Sequence, residues 1–463
     1  MKLIYGIKDK PKFGANLVFA IQQLLAIMTA TLVVPVIIGY GMSPAAALFG
    51  AGAGTLIYVL FTKANSPVFL GSSFAFLGSM AAAFAGAATV EVGYLGLIIG
   101  AIFAGLVYVL IAAVVKAVGT GWINKLMPAV VIGPTVSIIG LSLASNAVGD
   151  IVKGNITTDV LTDGVITKEA LASPLACLFC GIVTLVVVAL CSSFGKKTVR
   201  MIPFIIGILA GYAVAGIMTI IGFTCGIDSL KILNIDPFKA LVAEGVNLST
   251  FISLPEFTFI KALGGFDGIT GTYIGTIAVA YIPVAFVVFA EHIADHKNIS
   301  SIIEKDLLED PGLTRTLLGD GVGSMVGSLF GGCPNTTYGE SVGCVAISGN
   351  ASVYTIITAA ICAIIVSFVS PFVAFVNSIP SCVMGGVCMA LYGFIAVSGL
   401  KMVQNIDLNE NRNLFVVSTI LIAGIGGLTL TFGKVTLTSV AAALILGIIV
   451  NVILAAVDKK ASK

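Results

Sequence analysis

The chain has 463 residues, of which 58% are hydrophobic and only 10% charged, with a formal net charge of +2. A mean hydropathy of +1.11 lies far above what a water-facing surface allows, so a soluble domain is excluded and nothing marks a nucleic-acid partner. At about 20 residues per span with short turns, the length suits roughly twelve to fourteen transmembrane helices and leaves no stretch over for a soluble domain.

In chain order, the first apolar run, Leu17 to Ile38, follows a charged leader without a small-residue cleavage site and reads as a retained helix. Hydropathy and turn residues predict helices near 15–38, 45–62, 74–89, 92–116, 127–147, 172–193 and 201–223. After a polar loop over 224–271 a second set is predicted near 272–297, 312–330, 340–350, 354–377, 380–402, 413–432 and 437–457. Lys2, Lys8, Lys10 and Lys12 precede the first span. Lys63, then Lys116 and Lys125, then Lys196, Lys197 and Arg200 fall in alternate loops, which are expected on the cytoplasmic side. Asp150, Asp159, Asp163 and Glu169 weight one intervening loop with acid, as Asp228, Asp236, Glu244, Glu256 and Asp267 weight another, and these are expected outside. Lys459, Lys460 and Lys463 put the C-terminus inside with the N-terminus, which requires an even number of spans.

Internal repetition is faint. Pro128 is followed by Val131, Gly133 and Gly140; Pro380 is followed by Val383 and Gly385 at the same offsets and by Gly393 one residue later. A repeat with an odd number of spans inserts its second copy upside down, and seven plus seven agrees with the even total, an arrangement that points to a transporter. The third element of each half is a poor helix: Pro67 to Phe74 reads PVFLGSSF and Pro334 to Glu340 reads PNTTYGE. Both pass from proline through β-favouring or hydroxyl residues to a resumed helix, so two short antiparallel strands are expected in segments 3 and 10 of an otherwise all-α membrane protein. Extended backbone at membrane depth is tolerated where it is buried in protein or lines a cavity, which makes these interruptions the best pointer to a binding site.

Residues 321 to 400 contain a single ionisable side chain, Glu340. A charge at such depth costs about 2.5–3.5 kcal/mol or more, so a functional role is expected for it. Glu291 and Asp295 are spaced i, i+4 and share a helix face, which suits a proton-coupled site. His292 and His296 have the same spacing, but HIADH lacks the glutamate of the zinc-protease helix and no cysteine lies near in sequence, so no metal is expected; His296 is expected to face water and His292 to pack or hydrogen-bond. Gln22 and Gln23 are amides inside an apolar helix, and at least one is expected to turn inward. The nine cysteines lie mostly in apolar segments and read as packing residues. Two acids from one helical turn, without a nucleophile and its base, do not make an enzyme.

QQLLAIMTATLVVPVIIG, PVFLGSSFAF, GTGWINKLMP, AEHIADH, KDLLEDPGL, PNTTYGESVG and PSCVMGGVCMALYG together resemble the nucleobase ascorbate transporters, the second nucleobase cation symporter family, on the side of the bacterial uracil permeases. The likeness covers nearly the whole chain. It implies fourteen segments in an inverted seven-plus-seven fold, with a core domain over 1–116 and 272–378, a gate domain over 117–223 and 379–463, and an extracellular loop over 224–271. It also implies a homodimer in the cytoplasmic membrane, proton-driven uptake of a nucleobase, uracil before xanthine or another purine, and no cofactor. Sodium stays open as the driving ion, and a passive facilitator is the alternative. By motif, Glu291 matches the glutamate that binds the base and couples to the proton, and Glu340 the second glutamate; Phe74 and Gly339 match the positions whose amides meet base carbonyls, and Tyr338 lies beside them.

The chain departs from the family pattern in several places. Asp295 stands where uracil permeases carry histidine, Gln22 and Gln23 where they carry Gln-His, Ser341 and Ser348 where asparagine and threonine are usual, and Gly349 where an arginine is common. Gln22, Gln23 and Ser341 are therefore accessory positions, Asp295 joins Glu291 as a proton-coupling candidate, and Glu340 favours a uracil-type site over the glutamine of xanthine carriers.

Overall fold

A computed structural model describes residues 3–162, 165–243, 245–404, 406–432 and 435–461. Lys2, Asp163, Glu244 and Lys463, which enter the charge pattern, lie outside the described residues, as do the side chains of Asp159, Glu169, Lys459 and Lys460. The elements run α1 (Phe13–Ile38), α2 (Pro44–Phe61), β1 (Leu70–Ser72), α3 (Leu77–Ala85), α4 (Val90–Val118), α5 (Gly121–Leu126), α6 (Ala129–Ser142) and α7 (Ala144–Asp150). Next come the hairpin β2 (Thr157–Thr162) and β3 (Val165–Ala170), then α8 (Pro174–Phe194), α9 (Lys197–Met201), α10 (Pro203–Cys225), α11 (Asp236–Val242) and α12 (Thr258–Ala262). The chain continues through α13 (Gly271–Ile303), α14 (Leu313–Gly331), β4 (Asn335–Thr337), α15 (Gly339–Ser348), α16 (Val353–Ser367), α17 (Ser370–Ser378) and α18 (Ser381–Val403). It closes with α19 (Asn411–Ile425), the hairpin β5 (Leu430–Phe432) and β6 (Val435–Leu437), and α20 (Ser439–Ala461).

Among the described residues nine helices are long and apolar enough to cross a membrane, and shorter apolar helices cover Phe74–Ala85, Val353–Ser367 and Asn411–Ile425. A helix lies in each interval where the sequence predicts one, with differences in detail. The helix expected over 354–377 breaks into α16 and α17, because Pro371 has no N–H to donate and keeps the residue before it from continuing a helix easily. The helix expected over 413–432 stops at Ile425, where Gly426 and Gly427, the latter at φ +71°, end it and the chain turns into β5. The loop expected over 148–170 holds a hairpin, Thr157 pairing with Ala170.

Helix starts are written locally. Ser43 accepts the Ala46 N–H at 3.2 Å with Pro44 at the first helical position, and Thr270 accepts the Tyr273 N–H at 3.1 Å to open α13. The chain clusters into two compact units, Met1–Ser142 with Glu256–Ile364 and Gly393–Lys463, and Leu143–Pro255 with Ile365–Tyr392.

In the first unit α14 packs along α2 on a row of glycines at helical spacing, Gly319, Gly323, Gly327 and Gly331. A Cβ added at Gly50 would lie 2.4 Å from the Gly327 carbonyl oxygen, and one at Gly54 2.6 Å from that of Gly323, so the two backbones run in direct contact. The notch also admits Asn335 of β4, whose side-chain amide donates to the Gly50 carbonyl at 3.1 Å. In the second unit α8 and α10 meet in the same way, a Cβ at Gly211 having no room beside Thr184, and Asn155 donates to the Ile379 carbonyl at 2.8 Å.

Candidate functional site

The two interrupted segments meet in the first unit. β1 and β4 pair antiparallel, Leu70 opposite Thr337, Gly71 opposite Thr336 and Ser72 opposite Asn335, and one further backbone bond joins Ser73 N–H to Pro334 O at 2.8 Å. The pair stays this short because each strand runs straight into a helical turn, Phe74–Phe76 after β1 and α15 after β4. β1 is anchored to α2 by Thr55, whose hydroxyl oxygen accepts the Leu70 N–H at 3.0 Å. The Tyr338 ring lies over Gly71, where a Cβ would sit 2.4 Å from it, and the Tyr338 hydroxyl donates to the Ser72 carbonyl at 2.5 Å.

A small cavity opens at these two strand-to-helix turns, lined by Phe74, Ala75, Ile139, Glu291, Thr336, Tyr338, Gly339, Glu340 and Ile395. All five residues expected to bind substrate, Glu291, Glu340, Phe74, Gly339 and Tyr338, are among them. Both glutamates are partly buried, and no lysine or arginine is among the lining residues. The first-turn N–H groups of α15 have no partner within their own helix, and the helix dipole adds partial positive charge at that end. The cavity thus offers carboxylate acceptors, main-chain donors and apolar walls together, which is the chemistry needed to hold a small planar molecule with N–H and C=O groups on its rim.

The other expected site residues do not line the cavity. Asp295 is buried one helical turn beyond Glu291, where its carboxylate accepts from the Thr337 hydroxyl at 2.9 Å and so braces β4. Gln23 is the amide that turns into the protein: its side-chain N–H donates to the Ser341 hydroxyl oxygen, which also accepts the Phe69 N–H at 3.1 Å. Gln23 and Ser341 therefore tie α1, the entry to β1 and the first turn of α15 together. The side-chain oxygen of Gln22 is buried without a hydrogen-bond partner.

His296 corrects the expectation that it faces water. It is fully buried, with Nδ1 2.7 Å from the His292 carbonyl and Nε2 2.7 Å from the Tyr58 hydroxyl. The helix is longer than the apolar stretch suggested, running to Ile303, and it places both histidines inside the protein. Because a carbonyl only accepts, Nδ1 of His296 carries a proton, and in the neutral ring Nε2 accepts from Tyr58.

Asp320 and Thr316 on α14 were not singled out from the sequence. His292 Nδ1 lies 2.6 Å from an Asp320 oxygen, and Nε2 lies 3.0 Å from the Thr316 hydroxyl. The Thr316 hydroxyl also lies 3.1 Å from the Leu313 carbonyl, so it can meet Nε2 as donor or as acceptor, and in either tautomer a proton lies between Nδ1 and Asp320. The other Asp320 oxygen is buried without a hydrogen-bond partner. The signal available in advance was an aspartate between glycines in LGDGVG, at the edge of the charge-free stretch.

Comparison with known proteins follows the same lines. A family model described as Permease family (Xan_ur_permease) matches residues 14–433. The uracil permease of Bacillus subtilis (strain 168) is 36% identical over 461 residues, covering 98% of this chain and 95% of its own length. The uracil permease of Escherichia coli (strain K12) is 33% identical over 445 residues, covering 96% of this chain and 92% of its own. Among solved structures, the transmembrane domain of the cyanobacterium bicarbonate transporter BicA superposes with a TM-score of 0.60 at 14% identity, covering 96% of this chain and 100% of that one. The murine Slc26a9 anion transporter in the inward-facing state gives 0.62 at 12% identity, covering 97% of this chain and 69% of that one. At such identities the two structures share a fold with this chain and nothing finer.

Proposed function

The chain belongs to the nucleobase ascorbate transporter family and is a multi-pass membrane transporter, not an enzyme; from that premise we propose that it is a proton-coupled symporter that imports uracil across the cytoplasmic membrane by alternating access. The observation that carries the proposal is the cavity in which two lone carboxylates face the two strand-to-helix turns. Uracil presents N–H donors and carbonyl acceptors on its edge. Glu291 and Glu340 accept from the N–H groups, the main-chain N–H groups of Phe74 and Gly339 donate to the carbonyl oxygens, and Tyr338 closes one side. The names of the related permeases support uracil as the base.

In this reading residues 1–116 and 272–378 form a core that carries the base and residues 117–223 and 379–463 a gate, with 224–271 outside, both termini in the cytoplasm, fourteen segments in an inverted repeat, and two copies associating as a homodimer. Ile139 and Ile395, which this division assigns to the gate, are among the cavity's lining residues. A proton taken up from outside by Glu291 sets the donor and acceptor pattern for binding, Asp295 one turn beyond it tunes that step, and loss of the proton to the cytoplasm weakens the grip.

The test is uptake of a panel of radiolabelled bases into proteoliposomes with an imposed proton gradient, a sodium gradient or neither. Accumulation of uracil above equilibrium only with the proton gradient is expected. Equilibration indifferent to either gradient would make the protein a facilitator, dependence on sodium would replace the ion, and preference for xanthine would replace the base. Glu291→Gln and Glu340→Ala are each expected to abolish concentrative uptake; wild-type rates in both would remove these residues from the site.

A further inference from the structure

The half-helix α15 is ten residues long and carries Glu340 in its first turn. A helix that short has little stability of its own, so its position is set by what holds its two ends. The N-terminal end is held by β4 on β1. The C-terminal end is held by the chain before α1.

Ile4 N–H and Tyr5 N–H both reach the carbonyl of Gly349, at 2.7 and 3.3 Å, and Gly349, at φ +72°, is the residue that ends α15. The strand-like pairing continues with Ala351 N–H to Tyr5 O at 2.9 Å and Val353 N–H to Ile7 O at 3.1 Å, and the Ser352 hydroxyl donates to Asp9 O at 2.6 Å. Lys8 donates to the carbonyls of Lys63 and Ala64 at 3.3 and 3.1 Å, two residues with φ near +50° just past α2. Underneath, Leu3 and Ile7 pack on a buried cluster that includes Leu70 of β1, Ile299 of α13, and Val342 and Val345 of α15. One apolar cluster therefore joins the strand, the glutamate-bearing half-helix and the end of the helix that carries Glu291.

We infer that residues 3–10 are a strap that holds α15 in the register the cavity needs, so that Ile7, Lys8 and Ser352 are positioning residues for substrate binding although none of them lines the cavity. This rests on the uracil reading of the site. Loosening the strap lets the C-terminal end of α15 swing. A ten-residue rod carries the motion to Gly339 and Glu340, and affinity falls in proportion to the fraction of time the register is lost.

The experiment measures uracil binding to the purified full-length chain together with amide hydrogen exchange. Ile7→Asp, which puts a charge into the cluster, is expected to weaken binding about fivefold, the loss that follows when the competent fraction drops to about a fifth. Exchange is expected to rise over 339–353 and not over α8 or α10, and Ile7→Leu is expected to behave as wild type. In uptake assays the change is expected in KM with kcat little altered. Unchanged affinity in Ile7→Asp while exchange over 339–353 rises overturns the proposal, as does exchange that rises across the whole chain. Ser352→Ala, which removes one bond and leaves the apolar packing, is the variant for use if Ile7→Asp does not fold; a loss of affinity of about twofold is expected, and none would overturn the inference. If the wild-type chain binds no uracil, the functional reading fails, and the exchange pattern alone decides whether the strap holds α15.

Discussion

At the scale of single residues, the side chains behind the cavity hold the geometry of those in front. Asp320 and His292 are both fully buried and share a proton, so removing one partner strands the other. Asp320→Ala is expected to destabilise the protein by about 3–5 kcal/mol, seen as a lowered melting temperature in detergent, with Asp320→Asn milder because an amide can still meet Nδ1. Asp295→Asn keeps an acceptor for Thr337 while removing the charge, and is expected to alter the pH profile of uptake; Asp295→His is expected to move that profile toward that of the related uracil permeases, and an unchanged profile in both would mean that position 295 does not tune coupling. Glu340 could be read from the sequence because eighty residues around it hold no other charge. Asp320 could not, since the histidine that explains it lies 28 residues away and only the packing of α13 on α14 joins them. Asp295 was read for its charge, and its bond to Thr337 depends on a strand register that spacing does not encode.

At the scale of elements, the seam between α2 and α14 sets how deep β4 sits. A Cβ at Gly327 would fall 2.2 Å from the Asn335 amide. Gly327→Leu is therefore expected to drive Asn335 off Gly50 and to cost about 1–3 kcal/mol or more, with uracil affinity lost along with thermal stability, because β4 carries Thr336 into the cavity. The turn after α13 behaves differently: Lys305 beside Asp310 holds that exposed carboxyl below its ordinary value, with Lys8 and Arg315 adding to the effect. A lowered value means the pairing is fully present at neutral pH and is lost only as the pH falls through it. Limited proteolysis of residues 304–312 is expected to be unchanged between pH 7 and 5. Strands β1 and β4 were legible because proline, hydroxyl residues and glycine interrupt apolar runs at matching places in the two halves. The ends of α16 and α19 were missed because apolar composition carries straight across Pro371 and across Gly426 and Gly427, where backbone chemistry, not hydropathy, decides.

At the scale of the molecule, a ligand that binds only the folded state adds stability by mass action, about 2.7 kcal/mol at a hundred times its dissociation constant. Saturating uracil is accordingly expected to raise the melting temperature of the wild-type chain and to leave that of Glu340→Ala unmoved, a comparison that needs no membrane gradient. The general architecture was readable from hydropathy and charge, since long apolar helices have few other places to go. The strap was not, because a short leader of mixed apolar and charged residues looks the same in sequence whether it lies free or docked. A pocket walled by two carboxylates, with no lysine or arginine among its lining residues, also judges its cargo by electrical sign. A pyrimidine bearing an acid group, or uracil itself once alkaline conditions strip a hydrogen from its ring, meets repulsion on the threshold. The carrier should therefore discriminate sharply against orotate-like anions that match its preferred guest in outline.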